Sequence, residues 1–147
     1  MTDEVRVAIE SDADLVTARA EGRAIAERLG FPRPDPTLIA TAISEIARNI
    51  VVHVGRGEIV LQPFEDADRY GLTVIAVDRG PGIRDVDAAL RDDVSGRGGL
   101  GLGMPGARRL MDEFELTSDA DGTVVTMRKW RYRDELGRLR EERRRRG

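Results

Sequence analysis

The chain of 147 residues has no cysteine, so disulfides, thiolate metal sites and cysteine nucleophiles are all excluded. It has one histidine, His53, which rules out a multi-histidine metal centre and suits a capping or packing role near a helix end. Long apolar runs are missing too. The longest, such as Ile59–Leu61 and Val74–Val77, fall far short of the roughly 20 residues that cross a bilayer. The first ten residues, MTDEVRVAIE, lack the basic-then-apolar order of a secretory leader, and a cytoplasmic location is expected.

The chain does have enough apolar material for a core. With 40% hydrophobic residues, one domain of this length buries roughly 68–70% of its unfolded surface. The net charge of −3 is unevenly spread: residues 128–147 carry ten basic side chains against four acidic ones, leaving −9 on the remainder. An acidic body argues against a nucleic-acid-binding core.

Local patterning gives the element order. Val5–Glu10 alternates as a strand. Ser11, with Asp14 three residues on, resembles a capping box, and Leu15, Ala18, Gly22, Ile25 and Leu29 mark one face of a helix ending at Gly30. Asp35-Pro36 reads as an N-cap followed by proline at the first helical position. The second helix, about 36–54, buries Ile39, Ala42, Ile43, Ile46 and Ile50 at helical spacing. Strands are expected near Glu58–Pro63, Leu72–Asp78, Phe114–Ser118 and Thr123–Trp130, with a short helix near Val86–Leu90 and another from Pro105 to about Glu113. This order implies an α/β (α+β) two-layer sandwich: a mixed sheet with helices on one face.

Three motifs carry chemistry. Asp78-Arg79-Gly80-Pro81-Gly82 ends an apolar strand with a carboxylate that needs a donor, such as an adenine amine, beside glycines that leave room for a flat ring. An ordinary strand-to-loop turn has the same composition. Gly98, Gly99, Gly101 and Gly103 lead into the Pro105 helix. That helix could offer its N–H groups to phosphate, or the glycines could form a hinge. No Gly-Lys-Ser/Thr follows, so this is not a Walker A loop. Glu45 and Asn49 share a helix face at i and i+4. The amide oxygen of Asn49 suits Mg²⁺, and Glu45 could act as a base beside it. A solvated face with an Arg48 ion pair is the alternative. Arg91 and Arg97 could neutralise phosphate charge or be solvated loop residues.

Taken in order, Glu45–Asn49, Asp78-X-Gly80-X-Gly82, the glycines of 98–103 and Gly122-Thr123 resemble the four nucleotide-binding boxes of the GHKL ATPase/kinase superfamily. The resemblance covers about residues 5–130. The segments Thr41–Ile50 and Gly103–Phe114 are most similar to the RsbT-type switch kinases of the bacterial stressosome, with the anti-sigma kinases close by. His53 falls where the anti-sigma kinases often carry histidine.

The resemblance implies a Bergerat-type fold over residues 1–132, ATP and Mg²⁺ as cofactors, and serine/threonine kinase activity on STAS-domain antagonist or scaffold partners of the RsbS/RsbR kind. It also implies activation of a downstream effector, typically a PP2C-type phosphatase, and gives no reason to expect nucleic acid or membrane. It makes Glu45 the base, Asn49 the Mg²⁺ ligand, Asp78 the adenine reader, 83–103 an ATP lid, and Gly80, Gly82, Gly98, Gly99, Gly101, Gly103 and Thr123 nucleotide-binding positions, with Arg97 near the phosphates. The competing function is an ATP-gated partner-switching protein with incidental phosphotransfer. Residues 133–147, with four consecutive arginines at 143–146, are expected as a frayed basic extension.

Overall fold

A computed structural model describes residues 3–83 and 103–147. In chain order it contains β1 (Val5–Ile9), α1 (Asp12–Leu29), α2 (Asp35–His53), β2 (Gly57–Glu65), β3 (Arg69–Asp78), α3 (Gly103–Leu110), β4 (Glu113–Asp119), β5 (Gly122–Tyr132) and α4 (Glu135–Arg146).

The strands form one sheet in the order β1-β2-β3-β5-β4. Every pairing among the described residues is antiparallel, so the sheet is not the mixed one expected. For β2–β3 and β4–β5 the reason is connectivity, since they are joined by tight turns, which only antiparallel neighbours permit. Asp66 closes the first turn by accepting from the Asp68 and Arg69 N–H groups, both at 2.8 Å.

The two-layer sandwich holds. Residues of one sheet face, among them Ile9, Ile59, Leu61, Leu72, Val74, Val125 and Met127, pack with Ile25, Ile39, Ile43, Ile46, Ile50 and Ala107 of the helices in one core. Ile39, Ala42 and Ile43 are wholly buried, as their spacing requires. At the start of α1 the Asp14 carboxylate accepts from the Ser11 N–H at 3.1 Å, and Gly30 ends the helix in the left-handed region at φ 93°.

The starts of α2 and α3 differ from the sequence reading. Asp35 is the first residue of α2 rather than its cap. Its buried carboxylate takes a two-pronged bond from the Arg131 guanidinium, 2.6 Å from Nε and 3.0 Å from Nη2. The bond fastens the helix start to the end of β5 and raises the Arg131 pKa. Helix α3 begins at Gly103 instead of Pro105 and ends at Leu110, before the expected Glu113. There Asp112 turns into the sheet, its N–H donating to the Arg128 carbonyl at 2.9 Å.

The C-terminal segment, expected as frayed, forms α4. Asp134 caps it by accepting from the Gly137 N–H at 2.7 Å. Arg138 pairs with Glu135 and Glu142 along the helix, and such i,i+3 and i,i+4 pairs offset the like-charge repulsion. Arg140 and Arg144 both reach Asp68 in the β2–β3 turn, at 2.7 Å each. Together they hold the Asp68 carboxyl below its ordinary pKa. The expected helix near Val86–Leu90 and the lid glycines at 98, 99 and 101 lie outside the described residues.

Candidate nucleotide-binding site

The C-terminal half of α2 faces the ends of β3 and β5, and α3 closes the third side. Between them lies an open cleft lined by Ile46, Asn49, Ile50, His53, Val54, Ala76, Asp78, Pro81, Gly82, Ile83, Met104, Thr123 and Val125. The walls are mostly aliphatic, with a few convergent polar groups, the usual make-up of a site for a flat heterocycle.

Asp78 and Thr123 are directly opposite each other in the β3–β5 ladder, so strand register delivers both to the cleft floor. Asp78 Oδ1 accepts from the Gly80 N–H at 2.9 Å. Its other oxygen has no hydrogen-bond partner among the described residues, which suits a ligand amine. Thr123 is 6% exposed, and its hydroxyl lies 2.7 Å from that of Ser118.

The glycines of the Asp78 motif also have a reason within the protein's own packing. A Cβ on Gly80 would come within 2.7 Å of the Val54 side chain, and one on Gly82 would fall 2.0 Å from the Asp119 carbonyl. Gly82 also has φ +85°, a conformation costly for other residues. Both glycines let the loop pack against protein, and of the two only Gly82 lines the cleft.

Asn49 lines the opposite wall, and its half-buried side chain makes no hydrogen bond to a described residue. An amide oxygen so placed suits a hard divalent cation that keeps most of its waters. Arg48 is exposed and forms no ion pair among the described residues. Glu45, one turn before Asn49, is 9% exposed. Its Oε2 accepts from the N–H of Gly103, the first residue of α3, at 2.9 Å. Neither Glu45 nor Gly103, which has φ 71°, lines the cleft itself, whereas Met104, the next residue, does. Gly98, Gly99, Gly101, Arg91 and Arg97 lie outside the described residues.

The sequence reading missed Met104, Ala76, Val125 and Ile83 as lining residues and Ser118 behind Thr123. Alternation along β3 and β5 could have supplied Ala76 and Val125. His53, set aside as a packing residue, also lines the cleft.

The chemistry of this donor set fits an adenine nucleotide. The aliphatic walls suit the ring, Asp78 and Thr123 its polar edge, and Asn49 a magnesium ion. A two-layer sandwich carrying such a cleft at the sheet end defines a class of ATP-binding domain. The chain belongs to the histidine kinase-like ATPase domain family, whose model matches residues 9–129.

Within that class it is similar to the serine/threonine-protein kinase RsbT of Bacillus subtilis (strain 168). The two are 47% identical over 131 residues, which cover 88% of this chain and 98% of that protein. It is 31% identical to an anti-sigma F factor of Thermoanaerobacter sp. (strain X514) over 65% of this chain and 74% of that protein. A solved structure of the RsbU and RsbW domains of a Mycobacterium tuberculosis protein shares the fold, with a TM-score of 0.60 and 21% identity over 89% of this chain. This chain spans 33% of that structure. Among the described residues, no helix is long and apolar enough to cross a membrane.

Proposed function

We propose that this chain is an ATP- and Mg²⁺-dependent serine/threonine protein kinase. Its substrates are STAS-domain antagonist or scaffold proteins of the RsbS/RsbR kind in a bacterial stress-signalling partner switch. Released from them, it activates a downstream effector such as a PP2C-type phosphatase. The supporting observation is the placement of Asp78, Thr123 and Asn49 around one aliphatic cleft, with the Glu45 carboxylate one helical turn away. Near-full-length similarity to a serine/threonine-protein kinase supports the reaction class.

When bound, Mg-ATP supplies the phosphoryl group and the cation that neutralises its charge. The chain's own residues do the rest. Asp78 accepts a ring amine and Thr123 completes the polar edge, while Ile46, Ile50, Ala76, Met104 and Val125 exclude water from the ring. Asn49 holds the cation by its amide oxygen. Glu45 Oε1, which has no hydrogen-bond partner among the described residues, takes the proton of the incoming serine or threonine hydroxyl. Oε2 stays fixed to Gly103. Phosphoryl transfer asks mainly for this positioning and charge balance.

Incubation of the purified chain with γ-labelled ATP, Mg²⁺ and STAS-domain proteins tests the reading. Label on a serine or threonine of the partner is expected. ATP-dependent association without label would replace the kinase with a nucleotide-gated partner-switching protein.

A further inference from the structure

Three residues stand in one row across three strands. Asp78 on β3 is opposite Thr123 on β5, and Thr123 is opposite Ser118 on β4. Asp78 and Thr123 line the cleft, whereas Ser118 stands behind them on the edge strand. Its hydroxyl has two close partners: the Ile83 N–H, which donates to Oγ at 2.7 Å, and Thr123 Oγ1, also at 2.7 Å.

Geometry alone leaves either hydroxyl free to be the donor, and since a hydroxyl oxygen can accept two bonds, the direction is set by which arrangement gives both protons an acceptor. Each hydroxyl carries one proton. Ser118 Oγ already accepts from Ile83, and accepting polarises an O–H bond and strengthens it as a donor. The only acceptor for the Ser118 proton among the described residues is Thr123 Oγ1. The arrangement that gives both protons an acceptor runs from the Ile83 N–H to Ser118 and from the Ser118 O–H to Thr123. Thr123 is left to send its own proton forward into the cleft.

The result is an ordered pair at the cleft floor. The ionised Asp78 carboxylate can only accept, and the Thr123 hydroxyl beside it donates. A 6-aminopurine carries an N–H donor next to an unprotonated ring nitrogen and matches that pair. A 6-oxopurine carries a carbonyl next to a ring N–H. It would oppose acceptor to acceptor and donor to donor, a mismatch that costs more than a merely missing contact.

Resting on the reading of this cleft as an adenine-nucleotide site, we propose that Ser118 is a specificity-determining positioning residue. Held by the Ile83 N–H, it fixes the direction of the Thr123 hydroxyl, so that Asp78 and Thr123 together select a 6-aminopurine over a 6-oxopurine. Ser118 does not touch the nucleotide. A Ser118 variant therefore changes the preference between bases and leaves the sugar and phosphate contacts alone.

The test is equilibrium binding of ATP and ITP by calorimetry, with thermal melting as a check on folding. The native chain is expected to favour ATP. In Ser118→Ala the ATP affinity should fall about fivefold, the size of one neutral hydrogen bond, while ITP affinity changes less than about twofold. The preference ratio then drops about fivefold. Ser118→Thr, which keeps a hydroxyl, should retain the native ratio, and Ser118→Val, nearly isosteric with Ser118→Thr but without the hydroxyl, should lose it. That pair decides the matter if the alanine variant does not fold. Equal losses for ATP and ITP would reduce Ser118 to a structural residue and overturn the proposal, as would an unchanged ratio in both Ser118→Ala and Ser118→Val. A native chain that binds ATP no better than ITP would also overturn it. A native chain that binds neither would overturn the nucleotide reading itself, a result visible before any variant is made.

Discussion

Glu45 on α2 holds the first residue of α3: its Oε2 accepts from the Gly103 N–H at 2.9 Å across 58 positions of sequence. One carboxylate thus has two tasks, anchoring the helix start with one oxygen and serving as the proposed base with the other. Substitutions can separate them. Glu45→Gln keeps an amide oxygen that can accept from Gly103 but cannot take a proton. Phosphotransfer should fall by ~10²–10⁴-fold with ATP affinity near normal. Glu45→Ala removes both functions and should also lower stability by about 1–3 kcal/mol through the unsatisfied N–H. Full phosphotransfer by a folded Glu45→Gln protein would end the case for Glu45 as base.

Asn49→Ala should abolish Mg²⁺-dependent ATP binding or turnover while leaving the fold intact. The side chain faces the cleft, and the stripe that packs α2 is formed by Ile39, Ile43, Ile46 and Ile50. Thermal melting and a magnesium titration of ATP binding are the measurements. A folded variant with native magnesium dependence would remove Asn49 from the metal site.

Asp78→Asn can still accept from Gly80 through its amide oxygen, so the turn should survive. The charge-assisted bond to the ring amine is lost. ATP affinity should drop about ten- to hundredfold, equivalent to roughly 1.5–3 kcal/mol. Unchanged affinity would leave Asp78 as a turn residue only.

These residues differ in how much of their role was legible in the chain. The α2 stripe was readable because helical period and burial coincide there: Ile39, Ala42, Ile43, Ile46 and Ile50 are all 3% exposed or less. That Asp78 would stand at a cleft was suggested by a carboxylate at the end of an apolar strand, while the turn reading left open beside it is also met by the Gly80 bond. The pairing of Asp78 with Thr123 and of Thr123 with Ser118 was not readable. Register is set between strands far apart in sequence, and a local window cannot show it. The same holds for Asp35, whose position beside Pro36 suggests a cap until Arg131, 96 residues on, claims its carboxylate. Charge density alone also misjudged α4, because it counts arginines without asking which acidic groups face them.

That misjudgement leads to a prediction for the C-terminus. Arg140 and Arg144 converge on Asp68, the Arg133 N–H donates to the Asp68 carbonyl at 2.8 Å, and a Cβ on Gly137 would come within 2.9 Å of that same carbonyl. The bonds from Arg144 and Arg140 hold Asp68 below the ordinary carboxylate value of 3.8. Since the docked state binds the Asp68 proton less readily than the undocked one, these ion pairs favour docking fully above pH 3.8. Their contribution fades as pH falls through the lowered docked value. Amide chemical shifts of residues 135–146 should therefore be stable from neutral pH to mild acid and move toward undocked values only in stronger acid. Asp68→Asn should produce the undocked shifts at neutral pH, and high salt should push the native chain the same way. Deleting residues 133–147 should leave ATP binding intact, because no residue of that segment lines the cleft. Association with an acidic partner should slow at most modestly, and more visibly at low salt. A truncated chain that no longer binds ATP would show that α4 supports the nucleotide site through the β2–β3 turn, and the division at residue 132 would have to be abandoned.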